Sequence, residues 1–316
     1  MESNALDLPE IRTLLGSFLS LDSLRACVLV SKDWHNTFIR IIWTTIYFGP
    51  YRKPRSYEPQ PPDRATIEKH AHLIQNLVVV NLTPTFRLDL FRGTPLTSLK
   101  ELHLTPIRKA KVEIIPRLGW IFRQNPGLRV VDYGICRTRS RQRSRLFTQE
   151  QEQEQEQEDD VWALLDSCRE VVDLTMRYVR FKEEYWKAFQ RLCATKLRRL
   201  VLFCSPYGFE GVEWGEILMP HLQELEIRTS GSQAAAVLGM KMIVQCPNLR
   251  TLRWSDGLGQ DPDPSSFHQI LEYCPQLETL SLEGMVLPDE VIATFLASMA
   301  LPAGEGDYSP NDEIYI

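Results

Sequence analysis

The chain repeats a pattern of apolar positions in which leucine or a similar residue occupies the first, fourth and sixth places. The clearest copies lie in "CPNLRTLRW" (246–254) and "CPQLETLSL" (274–282). Six earlier copies have their first positions at 74, 99, 128, 171, 197 and 222, and most steps are 25 to 29 residues. So regular a spacing predicts one structural unit repeated about eight times.

Each copy predicts a short β-strand, because its last three positions alternate between apolar and polar residues. Between copies, segments such as 232–245 and 264–273 place apolar residues at helical spacing. A proline after Asn125, Cys246 and Cys274 then ends the predicted helix. We therefore predict an α/β solenoid with parallel strands on its concave face and helices on its convex face. An ordinary α/β domain with leucine-rich strands is the alternative, but it leaves the recurrent Pro-then-Leu spacing unexplained.

The "C-P-x-L-x-x-L-x-L" units resemble the cysteine-containing type of leucine-rich repeat, which implies a leucine-rich-repeat solenoid over 65–316. The step from 128 to 171 is too long for one repeat. Its excess, 137–160, contains "RTRSRQRSR" and "QEQEQEQEQEDD". With almost nothing apolar to bury, it is predicted to be a low-complexity insertion. It is either a nuclear-import or phosphorylation-regulated element or a solvated loop that neutralises its own charge.

The first 48 residues lack the repeat and predict three helices. Pro9 suits the start of a helix, and the residues after it place an apolar stripe on one side. A second helix is predicted to begin at Asp22, and a third apolar cluster runs from Trp34 to Trp43. About 40 residues cannot bury so much apolar surface internally. We expect the first repeat or another protein to cover part of it.

This stretch resembles an F-box in "LPEI" (8–11), "FLS" (18–20), "LDSLRAC" (21–27), "LVSKDW" (29–34) and Trp43. The resemblance implies that 1–48 docks on the adaptor subunit of a cullin-RING ubiquitin ligase. Alternatively, the helices only cap the solenoid. In a separate alternative, Trp34 and Phe38 hold the three helices together. The five prolines of 49–64 predict a semi-rigid connector. By resemblance, the adaptor-facing residues are Leu8, Pro9, Ile11, Leu14, Leu15, Phe18, Leu24, Cys27, Val30 and Trp34.

Side chains between the core leucines of each strand are expected to face the concave surface and contact a protein substrate. Arginine is prominent there, which suggests an acidic or phosphorylated substrate segment, because guanidinium groups bind phosphate in a two-pronged way. The alternative is a polar face of paired charges, for example around Glu226. The candidate substrate-binding residues are His103, Arg177, Arg198, Phe203, Glu226, Arg228, Arg253 and Ser281.

Composition and sequence patterns limit the kinds of partner, cellular location and cysteine chemistry that we expect. The net charge of −5 disfavours a general nucleic-acid binder. We expect no membrane span, secretory signal or lipid anchor, because the matching sequence patterns are missing. That predicts an intracellular protein in the cytoplasm, the nucleus or both. The seven cysteines form no C-x-x-C pair, so we expect buried, reduced thiols rather than disulfides or zinc ligands.

No catalytic motif is visible: the chain lacks a phosphate-binding loop, a G-x-S-x-G elbow and an H-E-x-x-H pair. We therefore predict no catalytic residue, no metal ligand and no cofactor. The resemblance implies a non-catalytic substrate-recognition subunit of an SCF-type ubiquitin ligase, whose partners are the adaptor and an unknown protein substrate. The alternative is a non-ligase interaction scaffold with a helical N-terminal cap.

Overall fold

The computed structural model describes residues 6, 8–48, 62–82, 88–106, 119–134, 163–177, 183–203, 218–229, 239–256, 264–283, 289 and 292–293. They form an α/β fold around one nine-stranded parallel sheet, in which the strands keep their order along the chain. That order is compatible with a solenoid. The strands are β1 (Thr45–Phe48), β2 (Asn76–Leu82), β3 (Glu101–Pro106), β4 (Val130–Gly134), β5 (Asp173–Arg177), β6 (Arg199–Phe203), β7 (Glu224–Thr229), β8 (Thr251–Asp256) and β9 (Thr279–Glu283).

Three of the described α-helices begin after a residue whose side chain caps them. The Ser20 hydroxyl accepts from the Ser23 amide at 3.2 Å, and the Asp63 carboxylate accepts from the Thr66 amide at 2.8 Å. Two short 3₁₀ helices cover Ala71–Leu73 and Leu88–Phe91. The α-helices are α1 (Pro9–Phe18), α2 (Leu21–Cys27), α3 (Lys32–Thr44), α4 (Arg64–His70), α5 (Gly119–Gln124), α6 (Glu183–Thr195) and α7 (Pro264–Tyr273).

The strand register stacks the repeated apolar positions into columns on one face of the sheet. Leu77 pairs with Leu102, and the fourth position of every later copy continues that column. The first positions, from Ile74 to Leu277, are buried as well. The predicted pattern therefore marks the core, as expected. The sixth positions form the second column: Val79, Leu104, Tyr133, Met176, Leu202, Ile227, Trp254 and the partly buried Leu282.

A backbone ladder fixes this register just before each strand. The Gln75 carbonyl accepts from the amides of Lys100 at 2.8 Å and Glu101 at 3.0 Å. The same two-amide arrangement recurs along the sheet, so each repeat is aligned on the previous one by main-chain atoms that any sequence supplies. Its later acceptors are the carbonyls of Lys100, Arg129, Val172, Arg198, Gln223 and Arg250.

Two of the three predicted helix stops share one type of side-chain hydrogen bond. The Cys246 thiol donates to the Met242 carbonyl at 3.1 Å, and the Asn125 amide donates to the Ile121 carbonyl at 2.7 Å. Both bonds reach four residues back and satisfy a buried carbonyl at the end of a helix. Burial raises the pKa of Cys168 to about 12 and that of Cys274 to about 11, so these thiols stay protonated. Within the described residues, buried free thiols are confirmed at Cys168, Cys193, Cys246 and Cys274.

The sheet begins earlier than we predicted. β1 follows α3 without a loop and pairs in parallel with β2. Its buried side chains, Ile46 and Phe48, extend the two columns, and Trp43 occupies the first position of this ninth copy. Residues 45–48, which we assigned to the first domain, therefore pair with the sheet, whereas the domain boundary at 48/49 stays a prediction.

The proline-rich stretch 49–64, predicted to be a semi-rigid connector, lies in the sequence between β1 and α4. Helix α3 already runs directly into β1, which pairs with β2. Residues 49–61 of this stretch, and the whole predicted insertion 137–160, lie outside the described residues.

The first three helices form a unit, here called the helical trio (8–44), whose core is on α3. Both α1 and α2 pack against α3, and α3 also contacts β1 and the 3₁₀ helix at 71–73. Phe38 is only 1% exposed, and its ring centroid lies 5.3 Å from that of Trp34. The two rings lie four residues apart on α3 and contact each other, and their role in holding the three helices together stays a prediction.

A glycine allows α1 to approach α3. Gly16 is buried, and a Cβ placed on it would collide with the Ile41 side chain and lie 3.1 Å from the Phe38 ring. Only a residue without a side chain fits there without displacing its neighbours.

An aromatic stack joins α3 to α4. The rings of Trp43 and His70 lie 4.6 Å apart with an interplanar angle of 25°. Burial, followed by the positive charges of Lys69, His72 and His35, lowers the pKa of His70 below its usual 6.5. Protonation therefore disfavours the folded state at this junction.

We predict that Gly16→Val destabilises the trio. A branched side chain would overpack the contact between α1 and α3, which typically costs about 1–3 kcal/mol and exceeds the small gain in helix propensity. Urea denaturation followed by circular dichroism measures the change. Gly127→Val is the matched control, because nothing lies within 4 Å of a Cβ at that position. Equal midpoints for the two variants would contradict the packing argument.

We also predict a pH dependence from His70. Because its folded-state pKa lies below 6.5, its contribution to stability is complete above that pH and is lost as the pH falls through 6.5 towards the lowered value. His70→Gln should flatten the decline of melting temperature between about pH 7.5 and about pH 5.5. The exposed His221 provides a control, His221→Gln, which should leave the decline unchanged. A decline of equal slope in all three proteins would refute the assignment to His70.

Candidate partner-binding surfaces

Helix α1 turns its apolar stripe towards solvent. Its inward residues are Arg12 and Gly16, both buried against the trio. Phe18, on the opposite side, is 80% exposed. Leu8, Pro9, Leu14 and Leu15 are also exposed, and Ile11 is half-buried. All six adaptor-facing residues predicted on or next to α1 therefore keep accessible surface.

The exposed apolar surface continues beyond α1. Leu29, in the turn after α2, is 86% exposed, and Val30 beside it is exposed too. Of the other predicted residues, Cys27 and Trp34 are half-buried. Leu24 is only 6% exposed and lies within the trio, so it has little surface to offer a partner. The predicted adaptor-facing set left out Leu19, Leu21 and Leu29, although Leu19 continues the apolar spacing of α1 and the other two lie in stretches that resemble an F-box.

This surface is unusual within the described part of the chain. Nine of the twelve exposed large apolar residues found there lie in 6–30, and only Tyr47, Leu218 and Tyr273 lie elsewhere. Scattered exposed leucines are normal, but a concentration of this size on one small unit marks an interaction surface. We call it the trio apolar surface: Leu8, Leu14, Leu15, Phe18, Leu19, Leu21, Leu29 and Val30.

The second candidate is the outer sheet face, the face opposite the buried columns. His103, Glu226 and Ser281 lie in its central row and are half-buried, whereas Arg253 in that row is exposed. Arg198 is exposed just before β6. In the middle of the row, Thr175 and Val201 are buried although they alternate with the core positions. This differs from the simple expectation that every such residue is open to a partner.

Three of the predicted residues form one cluster at the C-terminal ends of their strands. Arg177, Phe203 and Arg228 are direct neighbours in register on β5, β6 and β7. The guanidinium carbons of Arg177 and Arg228 lie 4.3 and 5.0 Å from the centroid of the Phe203 ring. Both distances are within the range of cation–π attraction. The aromatic ring thus holds two positive charges close together.

Carboxylates anchor both arginines of this cluster. Arg177 donates from Nε and Nη2 to the two carboxylate oxygens of Asp132, at 2.9 and 3.0 Å. Arg228 donates from Nε to Glu226 Oε1 at 2.5 Å. The first is a bidentate pair between β4 and β5, a geometry that fixes the guanidinium plane. The paired-charge arrangement that we considered for Glu226 is present.

At the N-terminal ends of the same strands, negatively charged side chains predominate, in contrast to the arginines at the C-terminal ends. Arg199 lies between two carboxylates, with N–O distances of 3.0 Å to Asp173 and 3.3 Å to Glu224. Burial raises the pKa of Asp173, even though Arg199 opposes the shift. Carboxylates therefore outnumber guanidinium groups in this row, whereas arginines occupy the row at the C-terminal ends.

Neither a metal cluster nor a membrane-spanning helix is found in the part of the chain that the structure describes. No three His, Cys, Asp or Glu side chains come together there in a way that could hold an ion. No described helix combines the length and the apolar character that a bilayer crossing requires.

The similarity of this chain to known proteins was tested in two comparisons. No protein-family model matches it. No curated protein is significantly similar to it either. Its function must therefore be argued from the two surfaces themselves.

Proposed function

We propose that this chain is a substrate-recognition subunit of an SCF-type ubiquitin ligase. In this proposal the helical trio is an F-box that binds the adaptor subunit, and leucine-rich repeats hold a protein substrate on the outer sheet face. The observation that carries the proposal is the trio apolar surface. It consists of large apolar side chains that the chain itself leaves open, in a segment whose sequence resembles an F-box.

Energetics support a partner for this surface. Burying one large apolar side chain contributes roughly 1.5–3 kcal/mol, and Phe18, Leu14 and Leu29 are all largely exposed. A specific interface typically buries about 1,200–2,000 Å². A patch of eight large residues can provide the apolar centre of such an interface, where a few side chains supply most of the binding energy.

The proposed role is positioning rather than chemistry. The resemblance implies that thioester transfer belongs to other subunits of the ligase. This chain would hold a substrate near them and so raise the effective concentration of the reacting groups. Separate surfaces suit that role, because the adaptor would contact α1 and α2 while the substrate occupies the sheet.

A non-ligase scaffold is the second candidate, and one contact favours it. Helix α3 packs against β1 and the 3₁₀ helix at 71–73, so the trio covers the first strand as a solenoid cap does. Capping accounts for α3 but does not require the outward apolar stripe of α1. The ligase proposal accounts for both features.

We predict that the double change Leu14→Ala and Phe18→Ala weakens adaptor binding by about tenfold or more, since truncating anchors of this type typically costs over 1 kcal/mol each. Co-purification of the full chain with the adaptor, followed by titration calorimetry, measures the loss. Leu218→Ala is the matched control, because it truncates an exposed leucine outside the trio.

Both altered side chains are exposed, so thermal stability should hardly change. Failure of the unaltered chain to form an adaptor complex would exclude the ligase proposal and leave the scaffold. Equal weakening by Leu218→Ala would remove the trio apolar surface as the binding site.

A further inference from the structure

We propose that Arg228, Arg253 and the Arg177–Phe203 pair form a docking site for the unphosphorylated Asp or Glu side chains of an acidic peptide. The inference rests on the proposed function in one respect, since it takes this peptide to be part of the substrate. It names the chemistry that the outer sheet face would select.

The anchored arginines keep unused donors. A guanidinium group has five N–H bonds. Arg228 uses its Nε in the bond to Glu226, and Arg177 uses Nε and Nη2 with Asp132. No acceptor for the Nη edge of Arg228 is found among the described residues. That edge is the part of the group that pairs best with an incoming carboxylate.

In both ion pairs the arginine side chain is more exposed to solvent than its carboxylate partner. The Glu226 side chain is 12% exposed and that of its partner Arg228 is 49% exposed. For Asp132 and Arg177 the values are 18% and 26%. The carboxylates are therefore set below the guanidinium groups. An approaching ligand meets the arginines first, in a geometry that the half-buried acids and the Phe203 ring have already fixed.

Arg253 makes the cluster net positive. It is the register neighbour of Glu226 on β8, is exposed, and has no ion pair within the described residues. Within the cluster itself, three guanidinium groups against the two carboxylates paired with them leave one surplus positive charge; the exposed Glu283 lies outside it, at the end of β9. A single carboxylate neutralises that surplus, whereas a doubly charged phosphate would be repelled by the nearby acids.

The opposite ends of the strands limit where an acidic peptide can lie. Among the described residues the ion pairs of Asp173 and Glu224 both go to Arg199, so that row disfavours a second set of carboxylates. The peptide's acidic side chains are thereby directed to the C-terminal ends of β5 to β8. The charges at the two ends of the strands therefore favour a negatively charged ligand and direct it to the C-terminal ends.

Three synthetic peptides of about ten residues, added to the full chain, test this inference by fluorescence anisotropy. One has glutamates in a Ser/Gly background, one replaces them with glutamine, and one replaces them with phosphoserine. We expect the Glu peptide to bind at least about tenfold more tightly than the Gln peptide, which lacks charge-assisted bonds. Added salt should weaken the Glu peptide most.

Variants assign the binding to the cluster. Arg253→Ala and Arg228→Lys should each weaken the Glu peptide by several-fold, and Arg228→Ala with Arg253→Ala by about tenfold or more. Arg253→Ala breaks no ion pair and Arg228→Lys keeps the charge beside Glu226, so neither should prevent folding. Arg250→Ala is the control, since it removes one charge from an exposed pair with Glu278.

Three outcomes would overturn the inference: equal binding of the Glu and Gln peptides, Glu-peptide affinity unchanged in the cluster variants, or preference for phosphoserine over glutamate. Adaptor binding, measured on the same preparation, separates the two proposals. Selective peptide binding without adaptor binding leaves this inference standing and removes the ligase function. Adaptor binding without peptide selectivity removes this inference and leaves the ligase proposal standing.

Discussion

Each strand of this protein is four to seven residues long and depends on its neighbours for burial. A strand of that length has only two or three inward side chains, which is too little apolar area to offset the entropy of ordering it. Stacking in register resolves this by joining the inward residues into continuous columns. The outer side chains are then placed in rows at the spacing of adjacent parallel strands, whatever their identity. Every proposed contact on the outer sheet face depends on that placement.

The stacked core could be predicted from the sequence because leucine recurs at regular spacing, and in several copies a proline ends the preceding helix. The prediction missed the first strand for an identifiable reason. None of the three apolar positions of this copy is a leucine: they are Trp43, Ile46 and Phe48. In addition, α3 runs into β1 without a proline or a loop. The same segment continues the apolar pattern of a helix, so its period alone did not mark the change to a strand. Tertiary pairing with β2 decided its conformation.

The trio and the outer face were predictable to different degrees. The stripe Leu14, Leu15 and Phe18 followed from helical spacing, but its outward direction depends on Gly16, whose missing side chain lets the other side of α1 approach α3. On the sheet, the rows followed from the repeat. The pairing of Arg177 with Asp132 did not, because these residues are 45 positions apart in the sequence and the long step between their strands intervenes. Side-chain pairing of that kind is set by rotamers and neighbours that a one-dimensional pattern does not contain.

The junction between the two surfaces gives the proposed receptor its geometry. Helix α3 ends at Thr44 and β1 begins at Thr45, so the core helix of the trio continues into the first strand of the sheet. The Trp43–His70 stack ties the same junction to α4. A subunit that positions a substrate gains from such a connection, since a flexible linker would spread the bound substrate over many orientations. In this chain the direct continuity of α3 and β1 sets the relation between the trio and the sheet.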